Sequence, residues 1–385
     1  MIILFDVDGV LVHSRAYHLG LQKTVEYFAR RMGLTEPYTL TQPEIDEFEA
    51  SSITVEWESS AIAVAALLLS RLSRLKSAPA RAVWDTLAAL GAQPGGVPRP
   101  DFAALARRVG EVTRPGQRPS LAALAYLGAD GGAPHATLLS ELLGHCYDIN
   151  RSPTMQVTQN FVVGHALYAQ SYGLPPHFEH ANLLATADVP RLSPMLRERV
   201  LAEREAGRLW FSIYTARPSL PPIEARGRES LIGYTPEAEA ALQLCGFDGD
   251  VPIIGVGRLE WAARRLGQHS GDLVKPSPVQ ALAAIAAART GREVAALEAA
   301  LALDQHAPLP GLFESCAGEH VHVFEDSASS LRAVALAVQR LNTYGLGLSL
   351  TRHGIASPGS PKYHSLVSIA DVIHPDINHG LNQIL

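Results

Sequence analysis

The chain is poor in cysteine, in lysine and in net positive charge, and each shortage excludes something. Its three cysteines, Cys146, Cys245 and Cys316, lie far apart in 385 residues and form no CxxC pair. That pattern rules out a disulfide framework or a zinc-ribbon spacing and suits a reducing, cytoplasmic setting. Basic residues number 32 against 38 acidic ones, for a formal charge of -6, so the cationic face that a general nucleic-acid binder needs is not expected. Long apolar runs are missing too. The longest, Ala61–Leu69, falls well short of the ~20 residues of a spanning helix. The opening run Ile2–Phe5 is cut by Asp6 and has no basic leader, so neither a membrane partner nor a secretory signal is expected. Lysine occurs only at positions 23, 76, 275 and 362, which makes each lysine a residue to account for.

What is present points to two domains. A length prior of about 150 residues per domain suggests that number, and the patterning divides unevenly. Short apolar runs rich in β-branched or aromatic residues stand at Ile2–Phe5, Leu209–Tyr214, Val251–Val256, Val321–Phe324, Leu346–Leu350 and Asp371–Ile373. Helical patterns lie between the later runs: one opened by Thr235-Pro236-Glu237 and closed by Gly246, one running from Ser277-Pro278 to Thr290, and one opened by Ser327. Strands buried on both faces and alternating with helices predict an α/β fold with a doubly wound parallel sheet. From Ser14 to Glu205 the pattern changes to Ala/Leu-rich helical segments, among them Ala61–Leu75, Arg81–Leu90 and Phe102–Val109, broken by Pro/Gly joints such as Gln93-Pro94-Gly95-Gly96. The expectation is a core of residues 1–13 and 206–385 with a helical domain of residues 14–205 inserted after the first strand.

In open α/β sheets ligands bind beyond the carboxyl ends of the strands, so the polar residues that follow each apolar run are the candidates. The first run is followed by Asp6-Val7-Asp8-Gly9-Val10, two carboxylates two apart and a glycine for a sharp exit. The second is followed by Thr215-Ala216-Arg217-Pro218, where a hydroxyl and main-chain N–H groups can hold phosphoryl oxygens and Arg217 can steer an anion. Lys275 precedes the helix at Ser277, and a compact ammonium is a good partner for an aspartate and a phosphate together. The fourth run ends in Glu325-Asp326-Ser327, acids that either cap the next helix or ligate a hard cation. Four carboxylates around a dianionic phosphate would repel it by roughly 4 kcal/mol per contact at an effective dielectric near 20. A cation is therefore required, and all-oxygen ligation points to Mg²⁺.

These residues, in this order at strand ends, resemble the four motifs of the haloacid-dehalogenase-like (HAD) superfamily. The wording Lys275-Pro276-Ser277-Pro278 and Glu325-Asp326-Ser327 is similar to the branch containing β-phosphoglucomutase and phosphonatase, which carries a helical cap after the first strand. The resemblance implies a Rossmann-like core and a hydrolase of small phosphorylated metabolites. Asp6 is then the nucleophile that forms an aspartyl-phosphate, and Asp8 is the acid/base, also offering its carbonyl to Mg²⁺. Thr215, Ala216, Arg217 and Lys275 hold the phosphoryl group, and Asp6, Asp8, Glu325 and Asp326 form the metal site. Asp8 argues against dehalogenation, which needs no leaving-group acid. His18 resembles a histidine near the cap hinge of that branch, and His177 and His180 are further cleft candidates.

Two departures stand out: the inserted segment is longer than a usual helical cap, and the stretch from Pro278 to Glu325 calls for an extra helix around Glu293–Leu303. A phosphomutase is the alternative reading. A non-catalytic binding or regulatory protein on the same fold is another. Phosphonatase chemistry would need a cap lysine, and only Lys23 and Lys76 are on offer there.

Overall fold

The structure is a computed structural model describing residues 1–36, 38–74, 82–93, 95–247 and 251–385. The expected segment ends at Leu75 and Arg81, together with Lys76 and Pro94, lie outside the described residues. Two compact units divide the chain. One comprises Met1–Ser14 and Ala187–Leu385, the other Arg15–Thr186.

The first unit is built on a six-stranded sheet in which every pairing is parallel. Numbering all strands in chain order gives β1 (Ile2–Phe5), β2 (Val12–His13), β3 (Val189–Pro190), β4 (Trp210–Tyr214), β5 (Ile253–Ile254), β6 (His320–Glu325), β7 (Ser349–Ile355) and β8 (Val372–His374). Spatial order across the large sheet is β5-β4-β1-β6-β7-β8. The chain therefore moves outward one way from β1 and then jumps back to its other side at β6, which makes the carboxyl ends of β1 and β6 the topological switch point where this architecture leaves a crevice.

Period-2 alternation explains why β1 has no polar residue. Ile2 and Leu4 pack into one core with Tyr214, Val321, Val323 and the helices Val256–Leu266, Pro278–Thr290, Glu293–Asp304 and Ala328–Asn342. Ile3 and Phe5 pack into the other with Phe211, Ile213, Phe324 and the helices Pro194–Glu205, Glu237–Leu244 and Ile377–Ile384. All four β1 residues are fully buried, each contributing about 1.5–3 kcal/mol of transfer free energy. The helix Pro278–Thr290 touches β1, β4, β5 and two neighbouring helices. Its run of buried alanines, from Ala281 to Ala288, lets the backbones approach that closely. Ser277 caps it with an acceptor for the Val279 N–H, and Gly291 ends it in a left-handed turn.

The core resumes earlier than the expected residue 206. Val12–His13 pairs antiparallel with Val189–Pro190, and the helix Pro194–Glu205 packs Leu196 and Val200 onto the sheet. A two-residue strand has no alternation for a sequence pattern to show, hence the displaced boundary.

Among its described residues the second unit has helices as its regular elements, from Ala16–Arg31 to Leu183–Thr186. Its longest helix, Pro153–Tyr172, breaks at Gly164 (φ 77°, ψ 159°). A side chain at that position would run into the main chain of Asn182. Trp84 stacks with Phe28 (5.6 Å) and with His177 (5.0 Å), and Trp57 lies edge-on to Tyr147 at 5.7 Å. Among the described residues no helix is long and apolar enough to cross a membrane.

Candidate functional site

Register brings the chemistry together. Phe5 stands opposite Ile213 on one side and Phe324 on the other, so one residue further along Tyr214, Asp6 and Glu325 form a row on the same face. Across that row reaches Lys275, from the loop ahead of the helix Pro278–Thr290. Its Nζ donates to Asp6 Oδ1 at 2.9 Å and to Glu325 Oε1 at 2.5 Å, and it lies 4.8 Å from the Tyr214 ring centroid. The other Glu325 oxygen accepts the Ser327 N–H at 2.8 Å. Lys275 and Asp6 side chains are 10% and 7% exposed and Glu325 is fully buried, so the ion pairs are largely desolvated, while Asp8 is open (39%).

Asp6, Glu325 and Asp326 each present one carboxylate oxygen within 4.8 Å of the others. Gly9 makes the third acid's approach feasible. Its φ is +76°, and a Cβ there would sit 2.2 Å from Asp326 Oδ2, so only glycine fits on both counts. Lys362, from the segment after β7, also pairs with Asp326 Oδ2.

The charges do not balance. Asp6, Asp8, Asp188, Glu325 and Asp326 face Lys275, Arg217 and Lys362; five minus three leaves two negative charges in excess. The strain falls on two carboxyls. Burial, then Glu325, holds Asp6 well above the ordinary carboxylate range despite Lys275. Burial, partly offset by Lys362, pushes Asp326 up to about 6. Burial alone would lower Lys275, but Asp6 and Glu325 outweigh it and raise it. An all-oxygen cluster with surplus negative charge and acids forced toward protonation is the donor set a hard divalent cation fits.

Asp8 faces a different environment from the one expected of a free acid. Arg217 Nε donates to both its oxygens (3.0 and 3.1 Å), Arg217 Nη2 to Oδ1 at 2.6 Å, and Ser14 Oγ also donates to Oδ1. Partial loss of solvent on the side that faces Arg217 works to raise this carboxyl, but the Arg217 charge and hydrogen bonds bring it below the usual range. Arg217 itself is 2% exposed and also binds Asp188 Oδ2 at 2.9 Å. Expected to steer an anionic substrate, it is instead buried between two carboxylates and orients Asp8. The Asp8 side chain lies outside the three-acid cluster.

Thr215 is fully buried at the end of β4, its Oγ1 accepting the Arg217 N–H at 3.1 Å; it orders the turn whose exposed residue is Ala216. Sequence reasoning missed Gln280. Its amide donates to Thr215 O (2.8 Å) and Ile254 O (2.7 Å) and accepts from Lys275 N (2.9 Å), tying two strand ends to the lysine. A glutamine in the buried first turn of an otherwise apolar helix was the signal. Of the histidines, His18 pairs with Glu49 at 3.0 Å and His177 with Gln156 at 3.2 Å. His180 Nδ1 lies 2.6 Å from Ala181 O. All three contacts are internal to the helical unit.

Compared with protein-family models and with curated proteins, the chain has no match. One solved structure, described as the X-ray structure of Northeast Structural Genomics Consortium target ZR25, matches it end to end. The match covers 100% of this chain and 98% of that one, with a TM-score of 0.62 and 15% identity. At that identity the likeness shows the fold alone: an α/β fold with a parallel sheet and helical regions outside it.

Proposed function

We propose that the chain is a Mg²⁺-dependent phosphatase of the HAD-like type, acting on a small phosphorylated metabolite through Asp6. The observation that carries this reading is the Lys275 ammonium bridging Asp6 and Glu325 beside Asp326, at the switch point of the sheet. Asp6 and Asp326, the main-chain carbonyl of Asp8 and, behind them, Glu325 would hold the cation. When bound, Mg²⁺ supplies the charge that lets a dianionic phosphate approach the acids.

The chain's own residues supply the rest. Lys275 and the main-chain N–H of Ala216 hold phosphoryl oxygens. An ionised Asp6 oxygen forms the bond to phosphorus as the ester P–O bond breaks, and the electron pair leaves with the alcohol oxygen, which takes a proton from Asp8. Water then attacks the aspartyl-phosphate, Asp8 takes the water proton, and Asp6 is released. Arg217 holds Asp8 ionised in the resting protein, which suits the second step. For the first step Asp8 must acquire a proton. Leaving groups that need no acid should therefore react most readily.

The test is phosphate release from sugar phosphates, nucleotides and small phosphoesters with and without Mg²⁺, beside Asp6→Asn. Release that needs Mg²⁺ and vanishes in the variant supports the proposal. Equal release from the variant removes Asp6 as nucleophile.

A further inference from the structure

Among the described residues three side chains lie against the Lys275 ammonium, and only two are charged. The third is Tyr214, fully buried at the end of β4 in the core that also holds Leu4, Ile254, Val279 and Leu282. Its ring face lies 4.8 Å from the ammonium, within the range at which the negative face of an aromatic ring attracts a cation. The Tyr214 hydroxyl has no hydrogen-bond partner among the described residues, so the ring is the part of this side chain that contacts the site.

We propose that Tyr214 is a positioning residue whose ring face holds the Lys275 ammonium in place while Asp6 carries the phosphoryl group. This rests on the phosphatase reading. Once Asp6 is an acyl phosphate, its negative charge sits on the phosphoryl oxygens, and Lys275 is held between these and Glu325. The fixed charge of Glu325 draws the ammonium toward β6, in competition with the phosphoryl oxygens it has to stabilise. Tyr214 stands on the opposite side of Asp6 in the row, on β4, and its attraction is the same before and after Asp6 reacts. The ring thus balances Glu325 through the covalent step, when displacement of the lysine would slow hydrolysis most.

The experiment replaces Tyr214 with phenylalanine and with mono-, di- and trifluorophenylalanine, rings of nearly one shape whose negative face weakens stepwise. Turnover of p-nitrophenyl phosphate with Mg²⁺ is measured in the full chain. Phenylalanine should match tyrosine, and kcat should fall along the fluorinated series by roughly 2- to 30-fold in all, with KM and thermal stability little changed. A flat series in an active protein overturns the proposal and leaves the phosphatase reading standing. No Mg²⁺-dependent turnover in the unsubstituted chain overturns both.

Lysine is rare enough for a second readout that needs no turnover. With four lysines in the chain, Nζ-labelled lysine gives few signals, and Lys275→Arg assigns the relevant one. Its ε-methylene protons should show an upfield ring-current shift that Tyr214→Leu removes and that survives addition of beryllium fluoride with Mg²⁺. Loss of that shift on beryllium fluoride binding would show the lysine leaving the ring, against the proposal.

Discussion

Acidification should weaken the sheet through three histidines that no function absorbs. His322 on β6, His353 on β7 and His374 on β8 are buried side by side, linked by N–H···N hydrogen bonds of 3.0 Å each. Their rings stack at 5.2 Å. Burial, then the neighbouring imidazole of His320, lowers His322 to about 4. Burial, then His322 and His374, lowers His353 to about 3. Both folded values lie below the unfolded value of about 6.5, so between these limits the unfolded chain binds more protons. The stabilisation is fully present above pH ~6.5 and is lost as pH falls toward 4. At 1.36 kcal/mol per unit, His322 alone corresponds to ~3 kcal/mol and His353 to ~5 kcal/mol, and because the two share a hydrogen bond their effects do not simply add. Asp6 and Asp326 work in the opposite sense, since raised carboxyls favour the folded state as pH falls. A comparison with His353→Phe cancels that contribution, because both proteins contain it. The assay is urea unfolding between about pH 7.5 and 4.5, read by Trp210 and Trp261 with Trp57 and Trp84 changed to phenylalanine. The unsubstituted histidines should give the steeper acid loss, by about 2–3 kcal/mol across the range. Parallel pH curves for the two proteins would refute the reasoning.

Gln280→Leu removes three hydrogen bonds, to Thr215 O, Ile254 O and Lys275 N, of which Ile254 O keeps a second donor in the Thr215 N–H. We expect a stability loss of about 2–4 kcal/mol by urea unfolding, with phosphate release falling further than stability explains; unchanged kcat would deny Gln280 a part in placing Lys275. Gly9→Ala puts a Cβ against Asp326 in a left-handed turn. It should cost about 1–2 kcal/mol in folding and weaken Mg²⁺ binding by calorimetry, whereas unchanged Mg²⁺ affinity would separate Asp326 from the metal. Asp8→Asn should slow release from alkyl phosphates far more than from p-nitrophenyl phosphate, whose leaving group needs no proton. Equal slowing of both would count against Asp8 as the leaving-group acid.

The strand ends carrying Asp6, Thr215 and Glu325 were legible because each follows a run that is apolar save for at most one residue, Ser212 or His322, close to what a strand buried on both faces requires. The helix Glu293–Asp304 was legible from its leucines and alanines. β7 was not: the pattern suggested Leu346–Leu350, but the strand is Ser349–Ile355. Its residues Thr351, Arg352, His353 and Gly354 look polar along the chain. Arg352 is paired with Asp371 and His353 with two histidines of adjacent strands, partners that one-dimensional patterning does not show. Arg217 misled for the same reason. Asp188, which buries it, lies in a stretch with no periodicity of its own, and pairing across that distance in sequence is a property of the fold.

The central claim is that Asp6 attacks phosphorus with Lys275 and the three acids around it. The direct measurement is acid quenching during turnover of p-nitrophenyl phosphate with Mg²⁺, followed by peptide mass analysis. The account predicts one phosphoryl group on the peptide carrying Asp6, absent without Mg²⁺ and absent in Asp6→Asn. A phosphoryl group on any other residue, or turnover with Asp6 never modified, would contradict it.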